Sequence, residues 1–209
     1  MTTRAQAPSA TLLRSDRAGL VATLLTIVTL AIGATAMSGC VPLVVAGAAG
    51  GTALVATDRR STGAQVDDEG VELKLLDQIS RTQGDKVHVN VTSYNGNVLL
   101  TGEAPNAATV AAIGAAARTT DKVKTVHNEI VVAPLTDLGQ RTNDTYITSK
   151  VKSRFIEANR FPPNAVKVVT ERGVVYLLGI VNRSEGELAG ETAATTTGVL
   201  KVVKVFEYR

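Results

Sequence analysis

From residue 71 onward the apolar positions follow two periods, and the periods alternate. Val71, Leu75, Leu76 and Ile79 recur at helical spacing, which predicts a helix over residues 71–82. Residues 87–93 and 97–102 then read as strands, with Asn95-Gly96 between them. That dipeptide tolerates positive φ at both positions and is a strong two-residue hairpin signal. An Ala-rich helix over 106–118 follows Pro105, and a strand over 123–132 closes the set. The same order then returns. Ile147, Val151 and Phe155 at four-residue spacing predict a helix over 144–158 with those three side chains toward the core. Residues 166–170 and 174–178 form a hairpin around Gly173. Ser184 and Glu187 have the spacing of a capping box for the next helix. In the final strand, 200–208, Leu200, Val202, Phe206 and Tyr208 fall on one face, with Lys204 among them.

The recurrence is an internal repeat. Gly96 aligns with Gly173 and Gly102 with Gly179, each 77 residues on. Each copy is αββαβ. The expected fold class is therefore α+β: two units, each a three-stranded sheet with two helices on one face. The other sheet face is left for solvent, the sister unit or a partner. The expected boundaries are 71–133 and 143–209, joined by a linker at 134–142.

Ahead of the repeats the pattern changes character. Arg4, Arg14 and Arg17 precede a stretch, 18–57, with no charged side chain. Its first part, 20–36, is rich in Leu, Ile, Val, Ala and Thr, and Met37-Ser38-Gly39 leads into Cys40, the only cysteine of 209 residues. A basic start, an apolar run and small residues make a secretory signal. Cleavage after Gly39 would expose a thiol that can be acylated, as in the lipobox of bacterial lipoproteins, although Met37 stands where Leu is usual. The other reading of the run is an uncleaved transmembrane helix, for which roughly 18–20 apolar residues suffice. A single cysteine excludes a disulfide within the chain. Residues 41–57, mostly Gly, Ala and Val, read as a tether, and the polar residues 58–70 as a loop.

Charge distinguishes the two copies. The chain nets +3, of which +2 lies in residues 1–39. Residues 58–140 hold 8 basic and 11 acidic side chains, a net of −3, whereas 141–209 hold 11 and 7, a net of +4. So small a balance gives no support to nucleic-acid binding, but a basic second unit suits anionic headgroups, at roughly 1 kcal/mol per basic residue near the surface. Lys150, Lys152 and Arg154 lie within five residues of its first helix. Tyr146, Lys150 and Ser153 share a face beside the core-facing one. That face is either a headgroup-contacting surface or a solvated one, with Tyr146 packed on a sheet edge or on the first unit.

Enzyme chemistry finds no foothold. His88 and His127 lie in separate strands with no Cys or second His near them in sequence, so no metal site and no cofactor are expected. Asp67-Asp68-Glu69 lacks calcium-loop spacing. No nucleophile elbow or phosphate loop is present.

The αββαβ unit, with a Gly-centred hairpin and a Gly after the second strand, resembles the BON domain. The strings Asp58-Arg59-Arg60-Ser61-Thr62-Gly63-Ala64-Gln65-Val66-Asp67-Asp68, Asn90-Val91-Thr92-Ser93-Tyr94-Asn95-Gly96 and Asn143-Asp144-Thr145-Tyr146-Ile147-Thr148-Ser149-Lys150-Val151 are similar to dual BON-domain outer-membrane lipoproteins of the DolP/YraP type. The resemblance implies a lipoprotein of the outer membrane, held on its periplasmic face by Cys40 and supporting envelope integrity. It further implies binding of anionic phospholipids such as phosphatidylglycerol and cardiolipin through the second BON domain. The expected contacts are Tyr146, Lys150, Val151, Lys152, Ser153 and Arg154, with Tyr146 where a relative carries Trp. The alternative is an adaptor for a protein partner, such as the outer-membrane assembly machinery.

Overall fold

The structure is a computed structural model that describes residues 58–209. The expected signal, Cys40 and the tether to residue 57 lie outside the described residues. Among those described, no helix is long and apolar enough to cross a membrane.

The first repeat comprises α1 (Thr62–Gln83), β1 (His88–Tyr94), β2 (Asn97–Ala104), α2 (Ala107–Arg118) and β3 (Thr125–Val132). The second comprises α3 (Leu138–Ala158), β4 (Lys167–Glu171), β5 (Val174–Val181), α4 (Arg183–Ala194) and β6 (Lys201–Tyr208). In each sheet the middle strand is the second of the hairpin. It pairs antiparallel with the first, Tyr94 opposite Asn97 and Glu171 opposite Val174, and parallel with the last. Parallel pairing requires a crossover, which α2 and α4 supply.

Two helices cover one face of each sheet. Val71, Leu75 and Ile79 of α1 pack with Ile113 and Ala117 of α2 on Val91, Val98, Leu100 and Ile130. The second core repeats this with Ile147, Val151 and Phe155, Ala189 and Ala193, and Val168, Val175 and Leu177. It adds Phe161, whose ring meets Phe155 edge-on at 5.0 Å. The opposite sheet faces are not left to solvent. Tyr94 and Leu99 of one sheet form a single buried cluster with Tyr176, Leu178 and Val205 of the other. Both faces of β2 are thus covered, and burial runs unbroken from Val98 to Ala104.

Both long helices begin earlier than apolar periodicity indicates. Residues 62–70, read as loop, are the first turns of α1, capped by Ser61, whose hydroxyl accepts from Ala64 N at 3.1 Å. Residues 138–142, read as linker, open α3 behind Asp137, which accepts from Gln140 N at 2.8 Å. The first inward position of α1 is Asp68, within its extra turns, and that of α3 is Asp144, just after them, so a search for apolar side chains passes over these starts. The capping box of α4 is Asn182 with Glu185, two residues ahead of the Ser184–Glu187 pair.

Those two aspartates hold the hairpins. Asp68 accepts from Asn95 N at 2.7 Å, Gly96 N at 2.8 Å and the Ser93 hydroxyl at 2.6 Å. Asp144 accepts from Arg172 N and Gly173 N, both at 2.8 Å. The turns they bind have both central residues at positive φ: Asn95 at 54° and Gly96 at 79°, Arg172 at 53° and Gly173 at 74°. An arginine is strained in that region, and the carboxylate on its N–H compensates.

Candidate functional site

The outer face of α3 carries most of the residues singled out in the sequence. Tyr146 is 61% exposed. The Lys150 ammonium lies 5.0 Å from the centre of its ring and donates to the Thr197 carbonyl at 2.6 Å, so aromatic and cation are held as a pair. Lys152 and Ser153 are exposed on the same helix. Two expected contacts are placed differently. Val151 is fully buried in the second core and presents no surface; its 3.6-residue neighbours Ile147 and Phe155 set that direction. Arg154 is half-buried, its guanidinium donating to the Thr192 carbonyl at 3.1 Å and the Thr196 hydroxyl at 3.0 Å. It fastens α3 to α4 before it can serve a ligand.

The structure adds two exposed apolar side chains in the second domain, toward opposite ends of α3. Ile156 is 65% exposed on α3, and Leu200 is 80% exposed. Leu200 packs beside Gly173, while Gly198 of the same loop lies against Ile147, next to Tyr146 in α3. Leu200, grouped by strand alternation with Val202 and Phe206, precedes β6 and stands clear of the sheet.

The segment leading into α1 joins both repeats. Arg59 donates to the Ile180 carbonyl at 2.8 Å and to both carboxylate oxygens of Glu185 at 2.7 Å. This bidentate pair holds the Glu185 carboxyl down at about 2. Arg60 instead serves the first repeat: it bonds Asp58 and Asp68 at 2.8 and 2.9 Å and stacks over Tyr94 at 4.2 Å. Burial works to raise the Asp68 carboxyl, but hydrogen bonds from Ser93, Gly96, Arg60 and Asn95 overcome it and leave it below its ordinary range. Asp58 and Arg60 line one cleft with Lys152 and Ile156, which brings the entry point beside α3.

A second polar cluster sits where the two sheets meet. Glu103 is fully buried and Glu171 is 5% exposed. Glu103 accepts from the Thr136 N–H and hydroxyl at 3.3 and 3.2 Å, meets Arg172 at 3.4 Å, and lies 3.3 Å from His88 Nδ1. Glu171 accepts from Asn90 at 2.8 Å. Burial pushes the Glu171 carboxyl up from its usual value, with the Glu103 and Asp144 charges adding to the effect. His88 is therefore not on a solvated strand face, as its sequence neighbourhood suggests. His127 is half-buried in β3.

The BON domain model matches residues 67–134 and again 143–209. The chain belongs to the BON-domain family. It carries two BON domains and is similar to the outer membrane lipoprotein DolP of Haemophilus influenzae, at 40% identity over 174 residues, 82% of this chain and 90% of that one. A 21 kDa hemolysin of Actinobacillus pleuropneumoniae is 35% identical over 153 residues, 72% of this chain and 79% of that protein. Among solved structures, CdsD of the Chlamydia trachomatis type III secretion system aligns at 11% identity and a TM-score of 0.28, covering 68% of this chain and 63% of that one, a likeness too slight to carry an argument. These relationships support an outer-membrane-associated, DolP-like lipoprotein with two BON domains.

Proposed function

We propose that this protein is anchored through Cys40 on the periplasmic face of the outer membrane, where its second BON domain binds anionic phospholipid and supports envelope integrity without catalysing a reaction. The observation that carries the lipid reading is the exposed Tyr146 ring with the Lys150 ammonium held beside it, with Lys152 and Ile156 exposed farther along the same helix. An aromatic with one polar end suits the headgroup layer, the ammonium suits an anionic headgroup, and Ile156 and Leu200 offer apolar surface to the acyl boundary. The contact set is Tyr146, Lys150, Lys152, Ser153 and Ile156; Arg154 contributes charge while its guanidinium stays on α4.

The position of the entry segment favours the same reading. Cys40 and Asp58 are 18 residues apart in sequence, a span of at most ~60 Å when extended. Asp58 lies in the cleft shared by Lys152 and Ile156, so an anchored chain would arrive on the side of α3 that faces lipid. Weak headgroup contact by a tethered domain becomes effectively intramolecular.

A sedimentation assay tests it. Mature chain carrying Cys40→Ser, and so unable to be lipidated, is mixed with phosphatidylglycerol or phosphatidylcholine vesicles. It should pellet with the former only, and Tyr146→Ser with Lys150→Glu should weaken that binding about tenfold or more with no change in melting temperature. Equal binding to both lipids, or full retention by the double variant, would remove the proposal. The adaptor reading loses one of its surfaces, since the inner sheet faces are spent on each other. Its remaining support is the exposed apolar strip Val131, Val132 and Leu135 leaving β3, and a crosslinked protein partner unaffected by those lipids would favour it.

A further inference from the structure

We propose that His88, Glu103 and Glu171 form a binding site for a divalent cation of the Zn2+ class, which ties the first BON domain to the second across the seam between their sheets.

One donor atom from each of the three side chains lies within 4.8 Å of the other two. His88 and Glu103 belong to β1 and β2 of the first domain, and Glu171 to β4 of the second. Ligand atoms around a four-coordinate zinc ion stand about 3.3 Å apart, given metal–ligand distances of ~2.0–2.2 Å. His88 Nδ1 and Glu103 Oε2 already meet that spacing at 3.3 Å. To close the third side the Glu171 carboxylate, now within 4.8 Å and bonded to Asn90, would have to move toward the other two on metal binding.

Electrostatics calls for a cation here. Two carboxylates from different domains are at least nine-tenths buried at close quarters, an arrangement that is costly unless a positive charge shares the site. Arg172 supplies part of it. Its guanidinium is 41% exposed and meets Glu103 through Oε1, while Oε2 faces the imidazole and also accepts from the Thr136 N–H and hydroxyl. Among the described residues no other Lys or Arg side chain is hydrogen-bonded or ion-paired to either carboxylate; Arg141 lines the same cleft and donates to the Thr136 hydroxyl instead. The donor set also selects the ion. One imidazole nitrogen with two carboxylates suits Zn2+ and its neighbours, whereas Ca2+ and Mg2+ require more oxygen ligands than are present. Access exists too, because His88, Asn90, Asp144, Thr148 and Glu171 line a surface cleft from which solvent would supply the fourth ligand.

An ion held this way would link the domains and add stability in proportion to its concentration. The experiment is calorimetric titration of the full chain in detergent, stripped with chelator, with ZnCl2 and separately with CaCl2. One Zn2+ per chain should bind and raise the melting temperature, with no comparable response to Ca2+. His88→Gln and Glu171→Gln should each weaken Zn2+ binding at least tenfold. His88 is only partly buried, so its variant should keep the metal-free melting temperature close to that of the parent, and Co2+ should show a nitrogen-ligated visible absorption in the parent that this variant lacks. The inference is overturned by the absence of saturable one-to-one binding, by an equal response to Ca2+, or by Zn2+ binding undiminished in both variants, which would put the ion elsewhere, the Cys40 thiol included.

Discussion

The two BON domains of this chain use one framework for two different surfaces. A shift of 76 residues superimposes Asp68 on Asp144, Val71 on Ile147, Leu75 on Val151 and Ile79 on Phe155, and each member of a pair plays the same part in its copy. The same shift applied to the outer face places Gly70 under Tyr146, Leu76 under Lys152 and Gln78 under Arg154, while Lys74 matches Lys150. Inward positions are thus preserved in kind, whereas three of these four outward positions change from Gly, Leu and Gln to Tyr, Lys and Arg and only Lys74 is kept. Packing constrains the first set, because a core tolerates little change in volume or polarity. The second set is free to take on a ligand, which is why function is to be sought in the differences between the copies.

The largest expected effect lies in the shared framework. Asp68→Ala leaves two backbone N–H groups and the Ser93 hydroxyl without their acceptor and Arg60 with Asp58 alone, and should cost about 3–4 kcal/mol in urea unfolding. Asp144→Ala, with two backbone partners, should cost about 2 kcal/mol. Equal losses would mean that Ser93 and Arg60 contribute nothing. Next comes the surface. Lys150→Glu alone should weaken phosphatidylglycerol binding several-fold, roughly 1–2 kcal/mol, while Lys74→Glu at the matching position of the first domain should leave it unchanged. If both weaken it alike, the division of labour between the copies fails.

Smaller still is the acid response of the Arg59–Glu185 pair. Its carboxyl falls from the ordinary 4.5 to about 2 in the folded protein. A depressed value means stability that is fully present above about pH 4.5 and lost as pH drops toward 2. Glu185→Gln should therefore flatten the decline of melting temperature across that window, by on the order of 1 kcal/mol. At the bottom of the scale, Asp77→Ala breaks only the exposed pair with Arg81 and should change stability by about 0.3 kcal/mol.

Much of the framework is legible from one-dimensional pattern. Asn95-Gly96 announces its turn, and the spacing of Ile147, Val151 and Phe155 announces a buried helical stripe. What the pattern misses is polar burial. Asp68 and Asp144 look like solvent-facing residues until the hairpin each one holds is folded against it; the turns around Asp68 read as loop, and the turn ahead of Asp144, which has no buried apolar side chain, as linker. Periodicity itself places Val151 in the core, which removes it from any surface contact. Arg154 shows the reverse problem, since nothing local reveals that the end of α4 and the loop after it will take its hydrogen bonds. The His88, Glu103 and Glu171 cluster is less visible still. Its members stand 15 and 68 residues apart along the chain, and only the back-to-back meeting of the two sheets brings them together.

The three residues Asp58, Arg59 and Arg60 carry a mechanical consequence. Arg59 is fastened to the second domain through Ile180 and Glu185, and Arg60 to the first through Asp68 and Tyr94. A pull arriving at Asp58 is therefore divided between the two domains at adjacent residues, as a bridle divides the load on a single rein. Peeling one domain from the other by tension on the chain would require both fastenings to fail in succession, so a tethered molecule would swing on its leash as a single body.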